Sequence, residues 1–199
     1  MSIKKRLLPA LVASTLALGA GAAQALNFSG VYVFGDSLSD TGIYRPGIAA
    51  QILGPVADAI PAHALVVSAS KGIENESLSP MIEVMKQTLP AALHSRLAVL
   101  SGPSFARETA EGQPTAVVSA AEVRATAEAV QAAFQNGAFR VYTSDDVIGV
   151  EVGGAVKNVI ALSCGMAEGL GFGHNTRAAL ITRGLAEISR LAVRLGGNP

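Results

Sequence analysis

Asp146 to Gly173 reads DVIGVEVGGAVKNVIALSCGMAEGLGFG, an apolar, glycine-dotted run with one lysine, Lys157, near its middle. Val152, Ala155, Val156, Val159 and Ile160 recur at helical spacing, so the stretch predicts a buried helix. Gly153 and Gly154 stand four and three residues before Lys157, on its face of that helix. Each glycine costs up to about 1 kcal/mol of helix stability relative to alanine, so the pair predicts a close neighbour beside the lysine. Partial desolvation there would lower the lysine pKa and suit it to proton transfer. The plainer alternative is a lysine that snorkels to solvent from a core helix.

Outward from this run, the 199-residue chain could form one large domain or two small ones. Hydrophobic residues at 50% and charged residues at 15% give ample core material and no disorder signature. Fifteen basic and fifteen acidic residues leave no basic field, so no nucleic-acid partner is expected. The single Cys164 has no disulfide partner and no metal-ligand spacing around it, and it reads as a small core residue. No metal site is expected.

From Ile52 the chain alternates between apolar strands and helices. The pattern predicts helices near Ala50–Ala59, Leu78–Leu89 and Ala121–Phe134. Strands are expected at Leu65–Ala69, Leu97–Leu100, Thr115–Ser119 and Phe139–Tyr142. That alternation predicts an open α/β sheet. Beyond Ser144 only helix is expected: one through Lys157, a glycine-rich loop at Gly169–Gly173, and one from about Asn175 to Leu195. Asn175 is the expected N-cap of the last helix, and Arg183 and Arg190, seven apart, read as a solvated stripe.

Lys71 stands just past the Leu65–Ala69 strand, and Gly102-Pro103-Ser104-Phe105-Ala106 follows the Leu97–Leu100 strand. Carboxyl ends of strands in open α/β sheets are where ligands gather. A cation there can hold a phosphate or orient a carbonyl. Small residues permit close backbone approach, and a serine hydroxyl can donate to an oxygen ligand. An ordinary loop lysine and a plain strand-to-loop turn are the competing readings.

The motifs SASKGIE (Ser68–Glu74), LSGPSFARE (Leu100–Glu108), FRVYTSDDVIGVE (Phe139–Glu151) and the run from Gly149 to Pro199 stand in one order. In that order they resemble NAD(P)-dependent glycerol-3-phosphate dehydrogenase, over about Ile52 to Pro199. The resemblance implies an α/β fold: a partial Rossmann-like sheet followed by the start of an all-α C-terminal domain. It implies a partial dinucleotide-binding domain (51–144) and a truncated helical substrate domain (145–199), preceded by a signal-like leader (1–25) and a GDSL-like strand and turn (26–50) that the resemblance does not cover. It implies interconversion of glycerol 3-phosphate and dihydroxyacetone phosphate with NAD or NADP. Lys157 would be the catalytic proton acceptor. Lys71, Gly102, Ser104, Lys157 and Asn158 would surround the phosphorylated substrate, and Lys71 and Ala106 would touch the cofactor. The family opens on GxGxxG, and no such motif occurs here. GAGAAQ at Gly19–Gln24 lacks the third glycine.

Met1 to Ala25 reads as a secretory signal: Lys4, Lys5 and Arg6, an apolar Leu7–Leu18, and Ala23-Gln24-Ala25 as a cleavage site. Its apolar run is too short for a stable membrane span. The stretch NFSGVYVFGDSLSDTG (Asn27–Gly42) is similar to the first block of GDSL-family autotransporter esterases, and Ser37 matches their nucleophile. A serine nucleophile needs a histidine oriented by a carboxylate, and the DxxH that supplies these in that family does not occur in this chain. The leader implies export, whereas the dehydrogenase resemblance implies the cytoplasm. A chimera of the two, inactive as a fragment, is the remaining alternative. An open edge at strand Leu65–Ala69, unless the strand Gly30–Phe34 pairs there as a substitute, and bare helical faces would then favour self-association.

Overall fold

The computed structural model describes residues 31–34, by backbone only, together with 53–74 and 77–198. The leader, the Ser37 turn and residues 50–52 of the first expected helix lie outside the described residues.

Five strands form one sheet in the order β1 (Val31–Phe34), β2 (Leu65–Ser68), β3 (Leu97–Ser101), β4 (Thr115–Ala120) and β5 (Phe139–Ser144). Neighbours pair in parallel except β3 and β4, which are antiparallel with Leu100 opposite Ser119. Of the two outcomes expected at the β2 edge, the structure has the substitute pairing: β1 runs along it with Val31 opposite Leu65 and Phe34 opposite Ser68. The backbone groups of β2 have found partners, and β1 takes its place as the terminal strand of the sheet.

Between strands lie α1 (Met81–Thr88), α2 (Ala106–Ala110) and α3 (Arg124–Phe134), and then α4 (Val147–Gly169) and α5 (His174–Arg194). Alternation along β2 divides the core. Val66 faces Ile82, Met85, Leu89, Leu93 and Val99 on the α1 side, whereas Leu65 and Val67 face Ala98, Ala127 and Val130 on the α3 side. Burying each such side chain is worth about 1.5–3 kcal/mol, so the three-layer sandwich is the stable part of the molecule.

Several boundaries differ from the sequence expectation, each for a local reason. Helix α1 starts at Met81 rather than Leu78, because Pro80 takes an extended ψ of 155° and Leu78 a positive φ of 53°. The first helix is a 3-10 turn, Gly54–Ala59, with proline in its opening turn. Helix α3 starts at Arg124, three residues late, since Val123 is extended. Helix α5 is capped at Gly173, not Asn175, which sits within its first turn. Helix α4 ends at Gly169, and Gly171, with a φ of 81°, closes the turn after it: its own N–H reaches the Glu168 carbonyl and the Phe172 N–H reaches that of Ala167.

Helix α4 is long and apolar enough, by length and composition, to cross a membrane. Its beginning is anchored on the sheet instead: Asp146 Oδ1 accepts the Gly149 N–H at 2.9 Å as N-cap, and Val147 and Val152 are buried. The expectation of a helix buried throughout fails after that point. Val159 and Leu162 are exposed, and Cys164 is only half-buried.

Candidate functional site at the strand ends

Three turns of chain meet where β2 and β3 end. Lys71, three residues beyond β2, is half-buried, and its Nζ donates to the Gly102 carbonyl at 3.1 Å. Gly102 directly follows β3 with a φ of 154°. A Cβ there would stand 2.8 Å from Val117 Cα and 2.9 Å from the Ala116 carbonyl oxygen. Only glycine lets this turn lie so close to β4.

The third element is α4. A Cβ on Gly154 would lie 2.6 Å from Ser101 Oγ and 3.7 Å from Lys71 Cγ. The close neighbour predicted by the glycine pair is therefore real, and it is the pair of strand ends. Gly154 alone carries it: the position of a Cβ on Gly153 is open space.

Lys157 lies one helical turn beyond Gly154 and is exposed, not partly desolvated. The reason is geometric: α4 leaves the sheet after its second turn, and its later turns pack on α5 by one face, with Ile160 against Gly184 and Ala167 buried, while the other faces stay open. Lys157 Nζ donates to Asn158 Oδ1 at 3.1 Å, so the two adjacent candidates form one polar pair. Ser104 is half-buried on the loop after Gly102, and Ala106 is the exposed first residue of α2. The structure thus joins Lys71, Gly102 and the Lys157 helix directly, and strings Ser104 and Ala106 along the same loop.

Two of the chain's histidines and the arginine pair lie elsewhere. His94 Nε2 lies 3.1 Å from the Leu89 carbonyl, and His174 Nδ1 lies 2.8 Å from Arg177 Nη2. Arg183 and Arg190 both pair with Glu187, at 2.6 and 2.9 Å, and form the solvated stripe that their spacing predicts. Among the described residues no group of three or more metal-ligating side chains comes together.

Glu151 is a residue that the motifs did not single out. It is only 5% exposed, and Oε1 and Oε2 accept the Ile82 N–H at 3.0 and 3.3 Å. Burial drives its carboxyl pKa up to about 8; the Ile82 and Met81 N–H groups pull the other way but do not win. An acid set among the apolar residues of the first half of α4 was the available signal.

A mixed α/β sheet followed by a helical hairpin defines a Rossmann-like protein, and the lysine and positive-φ glycine stand at the strand ends, the place where open sheets in general bind ligands. Residues 46–127 match the family profile for the NAD-dependent glycerol-3-phosphate dehydrogenase N-terminus, and residues 146–199 match that for its C-terminus. Over these segments the chain belongs to the NAD-dependent glycerol-3-phosphate dehydrogenase family.

It is 56% identical over 140 residues to glycerol-3-phosphate dehydrogenase [NAD(P)+] of Geobacter sp. (strain M21), covering 70% of this chain and 42% of that protein. The same-named protein of Myxococcus xanthus is 57% identical over 140 residues, with the same two coverages. The crystal structure of glycerol-3-phosphate dehydrogenase from Coxiella burnetii superposes with a TM-score of 0.69 at 34% identity. That match covers 84% of this chain and 47% of the other. The chain thus spans about two-fifths of the length of the curated relatives it matches.

Proposed function

We propose that the site at the strand ends carries out NAD(P)-dependent interconversion of glycerol 3-phosphate and dihydroxyacetone phosphate. The observation that carries this reading is the seating of Gly154 against Ser101 and Lys71, which brings the Lys157 helix to the end of β3. Lys71, Gly102, Ser104 and Asn158 are the substrate-binding residues. Lys71 places its ammonium beside the Gly102 carbonyl, where it can also meet a phosphate or carbonyl oxygen. Lys157, paired with Asn158, protonates the forming alkoxide during ketone reduction and takes the proton back in the reverse direction.

The residues present fit the nicotinamide end of a dinucleotide: half-buried Lys71 and exposed Ala106 flank the loop after β3. A nicotinamide, when bound, supplies or accepts the hydride. Choice between NAD and NADP rests with a residue reading the ribose 2′ position. The reaction draws on a cytoplasmic nucleotide pool, so the reading places the protein in the cytoplasm.

The test is oxidation of NADH and NADPH by the full chain with dihydroxyacetone phosphate. Lys157→Met is expected to lower turnover at least 1,000-fold, on the order of 4 kcal/mol of transition-state stabilisation, with an unchanged circular dichroism spectrum. Equal turnover in the variant would remove Lys157 from the chemistry. A folded chain without turnover would leave these motifs as a non-catalytic chimera.

A further inference from the structure

We propose that Glu151 is a positioning residue for the strand-end site: its carboxyl group hooks α4 onto the start of α1, and the hook seats Gly154 against Lys71 and Ser101. The assignment rests on the dehydrogenase reading only for what the site is used for. The coupling itself stands on the geometry.

That geometry is a closed ring. The first N–H groups of any helix lack partners within it. Pro80, at the cap position of α1, has no side-chain hydrogen bond to offer them. Glu151, 69 residues away in sequence, accepts the Ile82 N–H instead. Pro80, two residues before Ile82, bridges to Ile73, and Glu74 N–H donates to the Ser79 carbonyl at 2.9 Å. Ile73 is two residues from Lys71. From the other side, Gly154 lies three residues after Glu151 on the same face of α4, so close to the strand ends that a Cβ on it would meet Ser101 Oγ at 2.6 Å and Lys71 Cγ at 3.7 Å. The ring therefore runs from Glu151 to Ile82, Pro80, Ile73 and Lys71, and returns through Gly154. Asn158, seven residues after Glu151, continues that face of the helix to the Lys157 pair.

A ring of this kind transmits a change at the hook to both sides of the site. The carboxyl group is buried, with Glu83 and Lys86 of α1 as the charged groups that act on it. Lys86 is itself committed to Glu83 at 3.1 Å and Glu122 at 2.6 Å. Ionisation of Glu151 leaves a charge that its two backbone donors must hold without water, so the α1–α4 contact tightens or shifts as the group titrates.

The test uses the full 199-residue chain, isotopically labelled, with no substrate or cofactor, so loss of the dehydrogenase reading would not alter it. The Glu151 carboxyl carbon is followed by NMR from about pH 5 to 9.5, a range that spans the titration of a buried carboxyl, alongside the backbone amides of Ile82, Lys71, Gly102 and Gly154. All four amides are expected to shift with the midpoint that Glu151 itself shows. In Glu151→Gln, which retains an acceptor oxygen, those amides are expected to stay near their wild-type low-pH positions and show no such midpoint. Lys71 and Gly102 remaining flat while Glu151 and Ile82 titrate would reduce Glu151 to a local cap and overturn the proposal. Persistence of the same midpoint in the glutamine variant would overturn it equally.

Discussion

Val66, Val67 and Val130 in the sheet sandwich are sealed from solvent, whereas Val159, Leu162, Met166 and Leu170 on α4 and at its end are 56–76% exposed. The side chains are of one kind, and both segments are strongly apolar. They differ in how many layers lie against them. Strands β2 and β3 have helices on both faces, so alternate residues are buried whichever way they point. The α4–α5 hairpin has one seam, where a Cβ on Gly184 would lie 2.6 Å from Ile160 Cδ1, and its outer faces meet nothing among the described residues. Apolarity predicts a need for burial; the partner decides whether the need is met.

The sharpest way to break this contrast is at Gly102, where the site and the sandwich are the same atoms. Gly102→Ala forces a Cβ to within 2.8 Å of Val117 Cα at a φ of 154°. The backbone strain and the overpacking together should cost about 3–5 kcal/mol, read as a shift in the denaturation midpoint without a change of slope. Retention of wild-type stability would show that the β3–β4 approach is looser than the contact implies.

Much of this layout was legible in the sequence. The order of strands and helices followed from apolar runs broken by turn residues, and of the pair Gly153-Gly154 the second marks a close contact, made with the strand ends one turn before the exposed Lys157. The illegible parts depended on distant partners. Nothing local to Glu151 says that its carboxyl group caps a helix 69 residues away. Likewise nothing local to Lys157 says that α4 leaves the sheet within one turn of Gly154. Asn175 carried good capping chemistry, yet the extended Gly173 set the start of α5 two residues earlier. Each failure occurred where tertiary geometry overrode a sound local preference.

The junction between the two regions should also respond to pH. Burial holds the Glu151 carboxyl pKa at about 8 in the folded chain, above the ordinary 4.5 it regains on unfolding. Between those values the folded state binds the extra proton, so stability is fully present below about pH 4.5 and is lost as pH rises through about 8. The full shift corresponds to at most about 5 kcal/mol, and local rearrangement should reduce it to roughly 2–3 kcal/mol. Thermal melts from about pH 5 to 9 in wild type and Glu151→Gln isolate the contribution. A wild-type melting temperature that follows the variant across the range would show that Glu151 is not held neutral.

The smallest expected change in folding stability is on the bare hairpin, and it is the one that most directly separates the two regions. Leu162 is 65% exposed and Leu185 is 59% exposed, so neither has much burial to lose. Replacing both with glutamate should alter the unfolding free energy of the monomer by no more than about 0.5 kcal/mol per site. The same pair should change association strongly, because contiguous apolar helix faces lower their free energy by covering one another. We expect the wild-type chain to sediment with a concentration-dependent mass and the double variant to remain monomeric. A wild-type chain that stays monomeric at high concentration would mean that these faces tolerate water. Exposure would then be a stable property of the hairpin, and its contrast with the sandwich would lie in composition tolerated rather than in burial unmet.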